Sequence, residues 1–541
     1  MKIFIENFGP VKEFVIDIKP LMIFVGRNNA GKSYISLLLE VLNSSFIDLI
    51  DILYYIIEDI KYRSRFIVYK FFFLEDTETE RYNNDKSEKI YFNYESIIKK
   101  IDKKDITKLM ENIKNKMDTL TAPFRSKVKI PEKIQEKAYS HLIERVAKIF
   151  SNIFLNRITN KFSSKIENLI NFKSQNSIII IKNDNIEISI ILNKGKEKKI
   201  DVKIDLLNKN EIFSKMRKNL KDIENEVKRY FSIVENGKNR EDLLKEILFS
   251  TLMTINLEIV DLIAQFIEKN FFNTLYLPAT RSGLIQAYET IATAYIQLAP
   301  ESITRKIDFP TLSGVSADYI KNLFKSESGR AIILRKTQKS RDFIYDIIKY
   351  IEKEIIHGKI EFKKKKGKSI KGYISYNIEG KEVPLYRASS MVSELSGLLI
   401  FLKKLLTPGD LLIFEEPESH LHPESQLKIA IVITMLYKND IRLIITTHSD
   451  YFLHQINNFI KISKLSPEKI KKVFGRDLTI DRKDVSINLF KYDDENNETL
   501  VKNLEFDEYG LTEDIFYEIT KELFQTSDEI DDMINDELYA K

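Results

Sequence analysis

The sequence predicts an α/β protein built around a phosphate-binding loop and interrupted by a large, mainly helical insertion. Three observations predict it. The chain opens with short apolar strands, a glycine-bearing loop and a helix. Two later runs, Leu411–Phe414 and Arg442–Ile445, are almost wholly apolar and each ends in a polar cluster. Between them and the opening lies a long stretch rich in Lys, Glu, Ile and Asn with helical apolar spacing.

Taken in order, Ile3 and Ile5 alternate with polar neighbours, Gly9-Pro10 marks a turn, Phe14–Ile18 alternates again, and Leu21–Val25 is continuous. A helix is predicted from about Ser33. Residues 46–270 are read as the insertion, with Leu142, Val146, Ile149 and Ile153, and then Leu244 to Leu262, at helical spacing. Such stripes imply packing between helices. Within it Ser177–Ile181, Glu187–Leu192 and Lys199–Ile204 read as strands of a small β element. A strand at Thr274–Leu277, a helix after Pro278 to about Leu298, strands at Lys359–Phe362 and Gly372–Tyr376 around a basic run, and a helix over Met391–Leu406 follow. The head therefore spans 1–45 and 271–480, and 481–541 is a C-terminal extension with an acidic, solvated tail.

At 541 residues the chain exceeds one ordinary domain, and its 43% hydrophobic and 30% charged residues suit a soluble protein. No apolar run of about 18 residues and no signal-peptide pattern occur, so a cytoplasmic protein without a membrane partner is expected. The lack of cysteine excludes disulfides and thiolate chemistry. With 85 basic and 80 acidic residues, the net charge of +5 does not itself argue for nucleic acid, although local patches could bind DNA or RNA.

Three segments carry chemistry. Gly26-Arg27-Asn28-Asn29-Ala30-Gly31-Lys32-Ser33 matches G-x-x-x-x-G-K-[ST]. Its glycines let successive amides point at a phosphate, Lys32 can reach the β/γ-phosphates of ATP, and the Ser33 hydroxyl can ligate Mg²⁺. In Leu411-Leu412-Ile413-Phe414-Glu415-Glu416-Pro417 a buried strand delivers two carboxylates, Glu415 to hold Mg²⁺ and Glu416 to polarise an attacking water. In Ile444-Ile445-Thr446-Thr447-His448-Ser449-Asp450 a second strand ends at a histidine able to donate to the γ-phosphate or the water.

Together these segments resemble the ABC-type ATPase domains of the SMC, RecF and OLD (overcoming lysogenization defect) group, over about residues 1–45 and 271–480. Glu415-Glu416-Pro417-Glu418-Ser419-His420-Leu421-His422-Pro423 is similar to the E-P-E-x-x-L-H-P form of OLD-like ATPases, and Thr447-His448-Ser449 to their switch-histidine loop. The resemblance assigns His420 and His422 to a dimer interface rather than to a metal. Arg387-Ala388-Ser389-Ser390-Met391-Val392 stands in the signature position, so Ser389 would contact the γ-phosphate bound to the other chain; helix N-capping is an equal and compatible role. Tyr276–Arg281 resembles a P-x-x-R element, where Arg281 could stabilise phosphate charge or form a salt bridge. The contact of a Q-loop glutamine is left unassigned.

The resemblance implies that two heads sandwich two ATP molecules in a homodimer or higher oligomer, Glu416 hydrolysing them to release the heads. About ninety residues follow Thr447, too short for the Toprim nuclease of many OLD-like proteins. By analogy with Septu-type systems the chain is expected to switch a separate nuclease or toxin in antiphage defence. A DNA-repair or chromosome-maintenance ATPase acting directly on DNA is the alternative, and a transporter subunit or a dead scaffold are further ones. The large insertion speaks against a transporter and an intact Lys32 and Glu416 against a dead site.

Overall fold

The computed structural model describes residues 1–73, 132–196, 198–207, 257–288, 290–291, 314–327, 338–364, 372–475, 477–507, 510–511, 521 and 524–533. Strands β1 (Lys2–Phe8), β2 (Val11–Asp17) and β3 (Leu21–Gly26) lead into helix α1 (Lys32–Phe73). Helix α2 (Glu132–Phe162) precedes strands β4 (Asn176–Lys182), β5 (Ile186–Asn193) and β6 (Ile200–Leu206). A helix over 257–270, α3, leads to β7 (Thr274–Leu277) and the short α4 (Arg281–Gln286). Helices α5 (Gly314–Glu327) and α6 (Gln338–Tyr350) come before a small sheet of β8 (Lys359–Lys364), β9 (Gly372–Ile378) and β10 (Lys381–Pro384). Then α7 (Ser390–Lys404), β11 (Leu411–Glu415), α8 (Pro423–Lys438), β12 (Arg442–Thr447) and α9 (Asp450–Lys461) alternate. Helix α10 (Pro467–Phe474), β13 (Val485–Asp493) and β14 (Glu498–Asn503) follow.

One eleven-stranded sheet runs through the protein in the order β6-β5-β4-β1-β2-β14-β13-β3-β12-β11-β7. Strands β13, β3, β12, β11 and β7 are mutually parallel. Helices cover both faces of this half, so β3 and β11 are buried along almost their whole length. Alternate side chains feed two cores. Met22, Phe24, Ile413 and Ile444 join the core of α1, α2 and α3, while Ile23, Val25, Leu412, Phe414 and Ile445 join that of α4 to α9. The strands from β6 to β2 pair antiparallel and alternate buried with open positions, as in β1.

Two boundaries differ from the sequence reading. Strands β4 to β6 form no separate element: Ile179 and Ile181 of β4 pair with Ile5 and Ile3 of β1, so the sheet of the head continues through them. Nor is the segment after 480 an extension, because β13 lies directly against β3 and β14 against β2. Pairing between strands so distant in sequence leaves no local mark on either. The expected stripe from Leu244 to Ile255 and the end of the helix toward Leu298 lie outside the described residues, as does part of the basic run after Lys363. The acidic segment is an exposed helix over 524–533. No helix among the described residues is long and apolar enough to cross a membrane.

Candidate active site

Because β12 lies between β3 and β11, the loop after β3 and the turns after β11 and β12 open on one carboxyl edge of the parallel strands, where α/β proteins build ligand sites. The loop depends on its glycines. Gly26 has φ +144° and a Cβ there would lie 2.2 Å from the Phe490 carbonyl oxygen; Gly31 has φ +88° and its Cβ would meet Pro10 at 2.8 Å. Arg27, Asn28 and Asn29 are exposed, whereas Ala30 is buried beneath them. Lys32, at the start of α1, is buried, and its Nζ donates to the carbonyls of Gly26 at 2.8 Å and Arg27 at 2.9 Å. Burial lowers its pKa to about 8, against the pull of Glu416, Glu418 and Glu415.

Glu415 closes β11 with its side chain buried. Its Oε2 accepts from the Ala279 amide at 3.0 Å, and its Oε1 has no hydrogen-bond partner among the described residues. Beside it the Tyr276 hydroxyl is pushed well above its usual pKa, first by burial and then by this carboxylate. Glu416 follows at φ +41°, its amide donating to the Thr446 carbonyl at 2.9 Å, so the chain turns off the sheet at this residue. Its Oε2 accepts from Ser419 Oγ at 2.9 Å, and its Oε1 stands 3.6 Å from His448 Nε2, an ion-pair rather than a hydrogen-bond separation. His448 first, then the Ser419 hydroxyl and Lys32, outweigh burial and bring the Glu416 pKa down to about 2.

Glu418 and Ser419, to which the sequence reading gives no role, complete the arrangement. Glu418 is buried and its Oε1 accepts from Thr447 Oγ1 and from the His448 amide, both at 2.7 Å, which ties the turn after β11 to the end of β12. An open cleft of about 610 Å³ results, lined by Arg27, Asn28, Glu416, Glu418, Ser419 and His448. That volume lies in the ordinary range of small-molecule sites. The second glutamate of E-P-E was the available signal for Glu418; nothing local marks Ser419.

A family model described as an AAA ATPase domain matches residues 1–453. The chain belongs to this AAA ATPase family. The search of curated proteins returned no match. Among solved structures the chain is similar to an SMC head bound to the C-terminal winged-helix domain of ScpA (11% identity, TM-score 0.36, covering 94% of this chain and 97% of the other). It is also similar to the SMC head domain from Thermotoga maritima (10%, 0.32, 93% and 98%). A third is an Smc head with an extended coiled coil bound to the C-terminal domain of ScpA, derived from Pyrococcus furiosus (11%, 0.33, 98% and 98%). At these TM-scores the likeness lends no weight to any assignment.

An AAA ATPase domain implies a nucleotide, with Mg²⁺ as its usual companion, and the residues present fit both. The glycine cradle would be filled by any Cβ, the Lys32 ammonium is desolvated over its own loop, and Glu415 Oε1 is a buried carboxylate oxygen without a hydrogen-bond partner among the described residues. Ser33 and Glu415 would hold the ion. Ser33 is exposed at the start of α1. Ser389 is also exposed and does not line the cleft of its own chain; its Oγ caps α7, accepting from the Val392 amide at 3.4 Å. His422 caps α8 through Nδ1, accepting from the Glu424 amide at 3.4 Å. Of the two readings of Arg281, the structure shows the salt bridge: its Nε lies 2.8 Å from Glu394 Oε2, with both side chains fully buried.

Proposed function

We propose that this AAA ATPase is of the ABC type, binds and hydrolyses ATP, and acts as a dimeric switch that couples head closure to a separate effector. One observation carries the reading: Glu416 and His448, from two strand ends, line one cleft with Arg27 and Asn28 of the loop after a third, and Lys32 at the end of that loop is near enough to Glu416 to help lower its pKa. Loop amides of Gly26 to Ser33 and the Lys32 ammonium would hold the phosphates. When bound, Mg²⁺ supplies charge neutralisation on the phosphate oxygens. Glu416 is ionised throughout the neutral range, since its pKa is about 2. So acidic a carboxylate accepts a hydrogen bond from the attacking water and orients it more than it removes a proton. His448 shares an edge of the cleft with Glu416 and would donate to the γ-phosphate.

Ser389, exposed and aligned with the N-terminus of α7, suits a contact to a phosphate bound on a second copy. The effector reading, a nuclease or toxin in antiphage defence, rests on the resemblance of the E-P-E and histidine motifs alone. Size measurement in Mg-ATP tests the switch. Glu416→Gln is expected to accumulate as an ATP-bound dimer and Lys32→Ala to remain without nucleotide. A Glu416→Gln protein that hydrolyses at the wild-type rate would defeat the catalytic assignment. Co-purification of a second protein at fixed stoichiometry supports the effector; a bare dimer whose hydrolysis rises with DNA would turn the reading toward direct action on DNA.

A further inference from the structure

Arg281 is fully buried, yet none of its donors reaches into the cleft. Its Nη1 donates to the carbonyls of Glu415 at 2.6 Å and Pro278 at 3.0 Å, and its Nη2 to the carbonyl of Glu416 at 2.8 Å. The planar fork thus grips two successive peptide carbonyls at the point where φ turns positive and the chain leaves the sheet. Its guanidinium carbon lies 4.7 Å from the centre of the Phe414 ring, which fixes the plane from one side. The remaining nitrogen, Nε, faces Glu394 Oε2 at 2.8 Å and the Glu394 carbonyl at 3.3 Å. Glu394 sits in the second turn of α7, the helix capped by Ser389. A second tie joins α4 to the same turn, Gln286 Nε2 donating to Ser393 Oγ at 2.9 Å. The other Glu394 oxygen lies 3.6 Å from Nε2 of His420, an exposed side chain in the turn that follows Glu416.

We infer that Arg281 and Glu394 are a positioning pair that fixes the main chain of Glu415 and Glu416 and makes it follow α7. The inference rests on the reading of Glu416 as the hydrolytic carboxylate. It adds a mechanical link: a displacement of the exposed N-terminus of α7 reaches the carbonyl of Glu416 through one ion pair and two hydrogen bonds. A lysine at 281 could not make the link, having a single point of attachment in place of a fork.

Glu394→Gln and Arg281→Lys test this in the full chain, with kcat, KM, bound ATP per chain and thermal midpoint measured together. Both variants are expected to bind ATP at the wild-type stoichiometry with KM within about threefold. Their kcat is expected to fall about 100-fold, the effect of an ångström-scale misplacement of a catalytic group. In the Glu416→Gln background, single-turnover rates should show no further loss from either change. Wild-type kcat, a change confined to KM, or an undiminished loss in the Glu416→Gln background would overturn the pair. Normal hydrolysis by Glu416→Gln alone would instead remove the reading beneath it. Should Glu394→Gln fail to fold, Glu394→Asp carries the test: the retained charge still faces Arg281. A kcat loss of about tenfold at normal ATP stoichiometry is then expected, and a wild-type kcat overturns the proposal.

Discussion

The two halves of the large sheet solve different problems. From β13 to β7 the strands are parallel, helix-covered on both faces and buried over most of their length, and every strand end that reaches the cleft belongs to this half. From β6 to β2 the strands are antiparallel, and positions such as Val15 and Phe4 remain open on one face. The difference teaches where precision is located. A carboxylate at the end of a strand fixed on both faces is held by the packing of the whole layer, whereas the antiparallel wing extends the sheet and covers α1 and α2 without contributing a side chain to the cleft.

Substitutions can break that contrast. The largest expected effect is at the loop: Lys32→Ala should reduce ATP hydrolysis by about 10³-fold or more and leave no measurable binding by fluorescent-nucleotide titration. Retained binding would mean that the cleft does not use its ammonium. Next come the strands themselves. Ile445→Ala, at a fully buried position of β12, should cost about 3 kcal/mol in denaturant unfolding, while Val15→Ala on the open face of β2 should change stability by less than about 0.5 kcal/mol. Equal losses at the two sites would erase the distinction between the halves.

The effect of pH sharpens it further. Lys32 has a folded pKa of about 8, below its ordinary value of 10.5, so the free protein loses the ammonium as pH rises through about 8. Affinity for ATP should fall about fivefold from pH 8 to 9, read by calorimetry. Stability of the nucleotide-free protein moves the other way. Burial of the charged form opposes folding fully below pH 8, and this opposition fades as pH climbs toward 10.5. An ATP affinity flat across this range would contradict a desolvated Lys32. The smallest expected effect is at Ser419→Ala, which removes one hydrogen bond to Glu416 and should lower kcat only several-fold, with KM unchanged.

What the sequence made legible was local. The loop from Gly26 to Ser33, the carboxylates after Leu411–Phe414 and the histidine after Ile444–Ile445 are each written in a strand and the few residues beyond it. Apolar continuity in β3 and β11 against alternation in β1 and β2 also separated the two kinds of strand. Strand order was not legible: β4 joins β1 across about 170 residues and β13 joins β3 across more than 460, and neither pairing alters the pattern of the strands involved. The work of Arg281 was equally hidden, because the carbonyls of Glu415 and Glu416 that it grips, and Glu394 beside it, each lie more than 100 residues away. Glu418 stood in a motif without a visible partner until the end of β12 was beside it.

The central claim is that the cleft turns over ATP with Glu416 orienting the water. Single-turnover hydrolysis by Glu416→Gln, measured alongside ATP bound per chain, tests it most directly. The expected result is a rate reduced by about 10² to 10³-fold with one ATP still bound per chain. A wild-type rate at full occupancy would contradict the account.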